Sequence, residues 1–402
     1  EEAERAEAQA IADRDEVYNQ LAHSIEGKLT SRMGYRAPKE AQWIEAMQLY
    51  YGAAADWGHT GREFPDGMSD ANERENRRPD FNIVRSKCDI AVSQTISYQF
   101  ASGDKNWEIN PPPTYDDITP EEVEQYAQMT GQPPDVNKML AYRADLMSKE
   151  IEMHLTKSKY AAESRTAMID RVVLGTGVMK GPTNSGTPRK VYRKAQTSEG
   201  KMIFVPEITL EKVPTTCRVN PWYFFPDDSV DDICKAEDSI ELHPKSRTEL
   251  RELLNRDDFF PEQIQLCLDE DAKSYTGSRI FDASYITGGK NTAKNKYILA
   301  EYHGPVQRDD LDRVGVNYDT SVPYDEIYAE VWTCNGRVIK FALSNLEGQY
   351  GIPYCASVWE KDPSSIFGFG IPILLRDSQR VVSESYKMLL DHAGISAGPQ
   401  VI

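Results

Sequence analysis

The first part of the chain, residues 1–80, carries a helical pattern followed by a polar stretch. Residues 1 to about 55 are rich in Ala and Glu, which favour helices. Pro38 lies near the start of a second helical stretch and Gly52 at its end, where helices commonly begin and stop. Residues 66–80 include few apolar side chains. We predict amphipathic surface helices followed by a loop.

Residues 81–295 mix helical and strand patterns. From Phe81 onward, apolar residues recur at steps of three and four, which predicts a helix that ends near Gly103. The stretch NWEINPPP, residues 106–113, predicts a short strand closed by prolines. A helical pattern covers 136–174 and, if unbroken, would reach about 60 Å at ~1.5 Å per residue. A helix of that length needs a partner surface or a neighbouring subunit.

Alternation with a period of two marks two β-rich regions. The first begins at Val178, and a short helix with Ser246 as its N-cap follows it. The second covers residues 296–364, where Asn335 and Gly336 separate two alternating runs. These two residues tolerate the positive φ angles of a type I′ turn. The pattern therefore predicts a tight hairpin at this point.

The segment 365–402 predicts a helix preceded by two glycines. In the stretch FGFGIPILLRDSQR, Gly368 and Gly370 precede a proline that suits the first turn of a helix. Ile373 stands where a dinucleotide-binding fingerprint requires its third glycine. We therefore interpret the glycines as freeing the backbone to turn into a helix over 371–393, rather than as a phosphate loop.

Composition limits the classes of function. Lys and Arg number 46 against 64 for Asp and Glu, a net charge of −18, so the chain lacks the surplus of positive charge with which a basic domain neutralises nucleic-acid phosphates. Its six cysteines form no C-x-x-C pair, which argues against a zinc ribbon or a disulfide framework. No window approaches the ~20 apolar residues of a membrane span, so we expect no membrane contact.

The length of 402 residues suits two or three subdomains of roughly 100–200 residues each. The chain starts with Glu1 and stops soon after the last predicted helix. We therefore expect both ends to be cuts, with a C-terminal part missing.

No motif in the chain predicts a cofactor or a catalytic centre. Two glycine-rich stretches, GTGVMKGP and TGGKNT, each lack an element of the P-loop pattern. No two of the six histidines have the i, i+4 spacing of a helix-borne zinc site. A single G-x-S-x-G string follows a predicted helix instead of the strand that a nucleophile elbow requires. We expect no cofactor, no metal site and no enzymatic activity.

One enzymatic alternative stays open. Neighbouring carboxylates can hold Mg²⁺ in a nuclease or a phosphotransferase, and the chain has such neighbours at Asp227, Asp228, Asp231 and Asp232. Lys235, the nearby lysine, has no clear catalytic arrangement with them. We interpret these carboxylates as solvated caps of turns.

Three stretches form an ordered set: RRPDFNIVRSKCDIAVSQTISYQFASGDKNWEINPP, AMIDRVVLGTGVMKGP and DPSSIFGFGIPILLRDSQRVVSESYKMLLDHAG. The first has an Asn near the start of a helix (Asn82), and the second has a Gly-x-Gly turn (Gly175 and Gly177). The third has a glycine turn followed by Leu-x-Arg-Asp-x-Gln-Arg. In this order they resemble the portal proteins, or head-to-tail connectors, of short-tailed bacteriophages. VNPWYFFPDDSV is similar to the family's strand into an acidic turn, whereas Ser383 departs from the family's Asn.

The resemblance implies an α+β, portal-like fold with long helices and β-rich wing and clip segments, assembled as a ring of twelve copies. Residues 1–80 would hold N-terminal helices and a loop, 81–295 a wing-like α+β region, 296–364 clip or wing strands, and 365–402 a helix near the channel. Candidate channel or subunit contacts on this helix are Arg376, Asp377, Gln379, Arg380 and Lys387.

The implied ring assembles in the host cytoplasm and occupies one vertex of the capsid in the virion. Double-stranded DNA passes through it, with weak contact, during packaging and ejection. It binds capsid and scaffold proteins, the terminase and tail adaptor proteins, and it is not an enzyme. A scaffold protein that forms no channel is a further alternative.

Overall fold

The structure is a computed structural model, and it divides the chain into two compact units. Unit 1 consists of residues 1–92, 169–178 and 219–402, and unit 2 of residues 93–168 and 179–218. Helices and strands are both abundant, so the predicted mixed α+β class is confirmed. The described residues are 2–52, 82–100, 107–110, 128, 136–196, 202–272, 296–316, 318, 325–344 and 352–397.

The elements are numbered here in chain order. The helices are α1 (Glu2–Tyr51), α2 (Ile83–Gln99), α3 (Val136–Lys157), α4 (Tyr160–Val173), α5 (Arg247–Glu252), α6 (Pro261–Asp269), α7 (Arg308–Val314), α8 (Ile371–Leu374) and α9 (Arg376–Ala397). The strands are β1 (Thr176–Gln196), β2 (Met202–Val219), β3 (Phe224–Pro226), β4 (Ser239–Lys245), β5 (Tyr297–Gln307), β6 (Glu326–Cys334), β7 (Arg337–Leu343) and β8 (Tyr354–Val358).

A five-stranded antiparallel sheet forms the centre of unit 1, in the order β3-β4-β5-β6-β7. β4 pairs with β5 from Ser239 opposite His303 to Lys245 opposite Tyr297. The sheet therefore continues across the predicted domain boundary at residue 295. β8 belongs to a second sheet, with the order β2-β1-β8.

One face of the five-stranded sheet is covered by α1. Ala22, Ile25 and Leu29 recur at steps of three and four, and they pack in one cluster with Ile240 and Tyr302 of the sheet. Full burial of a large aliphatic side chain contributes roughly 1.5–3 kcal/mol. This row of side chains therefore fixes α1 on the sheet.

α1 is one helix of 50 residues, whereas the sequence predicted separate surface helices over this range. Pro38 lies inside α1 and cannot donate a hydrogen bond to the carbonyl of Gly34. The helix continues because it is packed on both sides of the proline, by Leu29 and by Trp43. The predicted break at Pro38 is wrong, since tertiary packing supplies most of the stability of such a helix.

Two local predictions are confirmed. Asn335 and Gly336 have φ angles of 52° and 81°, and they connect β6 to β7 as a tight hairpin. Ser246 is the N-cap of α5: its hydroxyl accepts a hydrogen bond from the N–H of Glu249, whose carboxylate accepts one from the N–H of Ser246. This reciprocal arrangement is a capping box.

The helical pattern of residues 136–174 forms two helices, α3 and α4, instead of one. Lys159 has a φ of 56°, and this left-handed conformation interrupts the helix. α3 has 22 residues and is about 33 Å long at ~1.5 Å per residue, so the predicted long helix is wrong. Residues 107–110 form no strand, so that prediction is also wrong there, and residues 106 and 111–113 lie outside the described residues.

The C-terminal helical pattern forms α8 and α9, which meet at Leu375. A proline occupies the first turn of α8, as predicted. β1 and β2 confirm the β-rich region that was predicted from Val178.

Candidate functional site

Gly368 and Gly370 lie against the turn between α4 and β1. A Cβ atom on Gly370 would overlap the carbonyl group of Val173, and one on Gly175 would overlap the backbone of Gly368. Gly370 itself has φ −85° and ψ 162°, extended angles that any residue adopts. The prediction that these glycines free the backbone to turn is therefore wrong. They are required because two backbone segments touch here.

Hydrogen bonds hold this contact together. The N–H of Gly368 donates to Oγ1 of Thr176 at 2.9 Å, and the N–H of Phe369 donates to the carbonyl of Glu360 at 2.9 Å. Two of the three stretches that carry the resemblance are thereby joined. We name this contact the glycine junction, defined by Gly175, Thr176, Gly368, Phe369 and Gly370.

Gln379 connects α9 to the start of α2. Its Oε1 accepts hydrogen bonds from the N–H groups of Ile83 at 2.9 Å and Val84 at 3.4 Å. Its Nε2 donates to the hydroxyl of Ser383 at 2.9 Å. The first N–H groups of a helix have no partner within that helix. Gln379 is thus an intra-chain contact that caps α2 from 296 residues away in sequence.

Asn82 holds the same end of α2 from the opposite direction. Its Oδ1 accepts a hydrogen bond from the N–H of Arg85 at 3.0 Å, as an N-cap does. Its Nδ2 donates to the carbonyls of Leu49 at 3.1 Å and Tyr50 at 3.2 Å near the end of α1. The residues that carry the resemblance in all three stretches therefore meet within unit 1.

Apolar side chains pack next to these contacts. Val84, Cys88 and Val172 are fully buried, and Trp359 and Leu375 pack against them. Burial raises the pKa of the Cys88 thiol to about 12, so the thiol stays protonated at neutral pH and packs as a small apolar group. This cluster stabilises the meeting point of the three stretches and offers no reactive thiolate.

The charged residues predicted as contacts are exposed or half-buried on α9. Arg376 is 3.5 Å from Glu45 of α1 and 3.5 Å from Asp377. Lys387 is 3.7 Å from a glutamate one turn earlier, and Arg380 is exposed. Ion pairs at the surface contribute little to stability. These residues therefore add little to the attachment of α9.

α9 also exposes a row of apolar residues, which we name the heptad row. Val381, Met388 and Ile395 are 65%, 69% and 81% exposed, and they are seven residues apart. Seven residues make nearly two helical turns, so the three side chains share one face. Leu389, next to this row, is 66% exposed. The heptad row has one apolar residue per seven instead of the apolar pair of a coiled coil, but an exposed apolar row of this kind suits contact with another protein surface.

The aspartates of the enzymatic alternative are engaged in turns. The carboxylate of Asp227 accepts a hydrogen bond from the N–H of Ser229 at 3.0 Å. That of Asp232 accepts one from the N–H of Cys234 at 3.0 Å. Burial raises the pKa of Asp227, but its hydrogen bonds outweigh this effect, so the pKa lies below its ordinary value. Both side chains act as caps.

Asp231 is occupied by two lysines. It lies 2.9 Å from Lys235 and 2.9 Å from Lys361, and hydrogen bonds from these ammonium groups lower the pKa of its carboxyl. Among the described residues, no group of three or more metal-ligand side chains includes these aspartates. The arrangement is that of a structural turn.

A different cluster escaped the sequence analysis. Glu241, His243 and Glu301 bring their ligand atoms within 4.8 Å of one another. The spacing of the histidines along a helix gives no sign of this cluster, because its residues lie on β4 and β5 and meet through strand register. The alternating pattern of the two strands was visible in the sequence, but their pairing was not.

Comparisons with known proteins add no family to this description. A scan of the chain against protein-family models and a search among curated proteins found no match. In the described part of the chain, no helix is both long enough and apolar enough to cross a membrane.

Proposed function

We propose that the chain is the subunit of a bacteriophage portal ring of twelve copies, located at one capsid vertex. The ring conducts double-stranded DNA during packaging and ejection. It docks the terminase and, later, tail adaptor proteins, and it contacts capsid and scaffold proteins as it assembles in the host cytoplasm. The function is that of a structural conduit and not of an enzyme.

The observation that carries the proposal is the construction of α9. Its N-terminal end is fixed to the rest of unit 1 through Gln379 and Leu375. The face of α9 opposite Gln379 exposes the heptad row to solvent. A helix that is fixed at one end and exposes a row of apolar side chains favours packing against a helix of another subunit.

Ring closure places particular demands on such a surface. In a cyclic ring each interface is heterologous, because one side of a subunit meets the other side of its neighbour. Arg376, Arg380 and Lys387 are spaced by four and seven residues, so they share a side of α9, and Asp377 and Glu384 are seven residues apart on another. Both charged rows lie on the same side of the heptad row and pair with each other at Arg376–Asp377 and Lys387–Glu384, so they suit the polar rim of a contact surface.

The net charge also supports a conduit. A channel through which a polyanion must move cannot hold its phosphates tightly, and binding by Lys and Arg grows with the number of neutralised phosphates. A charge of −18 per subunit, repeated around a ring, disfavours tight binding.

The enzymatic alternative has weaker support. Asp227 and Asp232 cap turns and Asp231 pairs with two lysines, so a Mg²⁺ ion would have to displace those contacts. The non-channel scaffold differs from the portal only in its assembly, so imaging separates the two.

Negative-stain imaging and native mass measurement of the purified chain, with a parallel assay for Mg²⁺-dependent DNA cleavage, test the proposal. We expect closed rings with a central hole, a mass of about twelve subunits and intact DNA. A monomer that cleaves DNA would establish the enzyme instead. Assemblies without a central hole would establish the scaffold.

A further inference from the structure

The face of the five-stranded sheet opposite α1 carries a buried polar cluster. Ile240 and Leu242 of β4 point into the cluster under α1, so Glu241 and His243 lie on the other face. Glu301 of β5 is the direct cross-strand partner of Glu241. Register therefore brings two carboxylates and an imidazole together.

The distances among these groups match those of metal ligands. His243 Nε2 lies 2.8 Å from Glu301 Oε2 and 3.8 Å from Glu241 Oε2. Two ligands bound to Zn²⁺ at about 2.1 Å with a tetrahedral angle are about 3.4 Å apart. The two distances from His243 lie on either side of this value, so small side-chain rotations would complete the geometry.

Burial and charge favour a cation at this point. Glu241 is 8% exposed and Glu301 is 3% exposed. Like charges directly opposite in a ladder are destabilising, and a buried carboxylate is costly unless it is paired or bound to a metal. A divalent ion between the two carboxylates would add positive charge where two acidic side chains lie directly opposite each other.

Both carboxylates are also oriented by groups outside the cluster. His303 Nε2 lies 2.9 Å from Glu301 Oε1, and the hydroxyl of Tyr354 donates to Glu241 Oε2 at 2.9 Å. Metal-bound carboxylates are held by such outer hydrogen bonds. The outer contacts leave an oxygen of Glu301, Oε2, directed toward His243.

Unsatisfied polar atoms accompany the cluster. Ser239 is the cross-strand partner of His303. Among the described residues, neither Oγ of Ser239 nor Nδ1 of His303 has a hydrogen-bond partner, although both atoms are buried. Buried polar atoms without partners commonly mark an ordered water or an ion.

His243 is the most exposed of the three side chains in the cluster. The His243 side chain is 24% exposed, and its ring stacks on Trp332 with centroids 4.9 Å apart and planes 13° from parallel. An ion can enter past His243, and a water molecule can take the fourth position. The stacked ring keeps the imidazole at the mouth of the site.

We propose that Glu241, His243 and Glu301 bind one divalent transition-metal ion, with Zn²⁺ the best match to one imidazole and two carboxylates. The ion links β4 to β5, and His303 acts as a positioning residue through Glu301. This site is independent of the portal proposal, because it depends only on the sheet of unit 1.

Calorimetric titration of the full chain with Zn²⁺, after removal of metals with a chelator, tests the site. We expect one equivalent to bind, and Co²⁺ in its place to give the intense visible absorption of a tetrahedral complex. His243→Ala should weaken Zn²⁺ binding by more than about 100-fold and abolish the Co²⁺ spectrum. His303→Gln should weaken it by about 10- to 100-fold, as loss of an outer contact does.

His154→Ala is the matched control, because His154 also lies near a glutamate, Glu150, at 3.7 Å, but on a helix. It should leave both readouts unchanged, and circular dichroism should show that every variant is folded. If the unmodified chain binds no Zn²⁺, the proposal is wrong. It is equally wrong if His243→Ala binds Zn²⁺ as tightly as the unmodified chain, since surface carboxylates would then account for the uptake.

Discussion

Close backbone contact, rather than a turn, explains the glycine at position 368. A Cβ atom there would overlap the side chain of Val358 and the carbonyl oxygen of Glu360. Both atoms belong to a segment bound to the glycine junction by backbone hydrogen bonds. Val358 and Glu360 therefore cannot move away from an added Cβ atom without breaking those hydrogen bonds.

Gly368→Ala should lower the free energy of unfolding by about 1–3 kcal/mol, the usual cost of overpacking a filled site. Urea denaturation followed by tryptophan fluorescence measures the change, and Trp359 lies close to the site. The matched control is Gly27→Ala, where a Cβ has open space within α1. That exchange should instead raise the stability by roughly 0.5–1 kcal/mol, since Ala is the better helix former.

Equal effects of the two substitutions would contradict the assigned role of Gly368. The steric requirement at 368 would then not exist, and a general preference for alanine would explain both results.

At the scale of elements, one buried side chain joins α1 to the turn before β3. Arg36 donates to the carbonyls of Phe224 at 2.6 Å and Trp222 at 2.9 Å, and its Nη2 lies 2.8 Å from Glu40. Arg36 and Glu40 are 5% and 3% exposed. Burial lowers the pKa of Arg36 to about 10, so the guanidinium remains charged at neutral pH.

Arg36→Met should destabilise unit 1 by about 3–5 kcal/mol, because Glu40 is left buried without its cation. The double variant Arg36→Met with Glu40→Leu should recover part of this loss. The recovery of stability should be incomplete, because the backbone carbonyls to which Arg36 donates lose their hydrogen bonds. Each buried carbonyl left without a donor costs about 1–3 kcal/mol. Thermal unfolding of the three chains measures the series. A double variant no more stable than the single one would show that Glu40 does not cause the loss.

Elements whose signals are local were predictable from the sequence. The hairpin at Asn335 and the cap at Ser246 depend on residues within four positions of one another, and both are confirmed. The continuity of α1 through Pro38 and the break at Lys159 depend on packing and on a single backbone angle. Neither of these two features produces a periodic pattern in the sequence by which it could be predicted.

The candidate site was likewise only partly predictable from the sequence. The order of three stretches pointed to Gln379 and the glycines, but not to their roles as a cap and a close contact. The cluster of Glu241 and Glu301 was missed because it arises from the register of strands about 60 residues apart. Register is set by the whole sheet, and no single stretch contains it.

At the scale of the whole molecule, the heptad row allows the proposed assembly to be tested. Met388→Asp places a charge at the centre of this row, where packing against another subunit would bury it. We expect the variant to remain folded, because the side chain is exposed in the single chain, and to lose the ring. Native mass measurement and circular dichroism check the two outcomes.

Leu389→Asp is the matched control for this prediction. Leu389 is nearly as exposed as Met388, but it lies outside the heptad row by one position, about 100° around the helix. Rings should persist in this variant. Persistence of rings in Met388→Asp would remove α9 from the interface and leave another surface to hold the assembly.

The packing of α1 on the sheet has a consequence for synthesis on the ribosome. Ile25 and Leu29 are made before Ala300 and Val331, which share their cluster and follow roughly 270–310 residues later, about 15–60 s at ~5–20 residues per second. The Gln379 cap of α2 emerges later still. A nascent chain therefore keeps the apolar face of α1 uncovered until β5 and β6 have been made. Polypeptides cut short upstream of β5 would expose this face and would be substrates for chaperones and proteases.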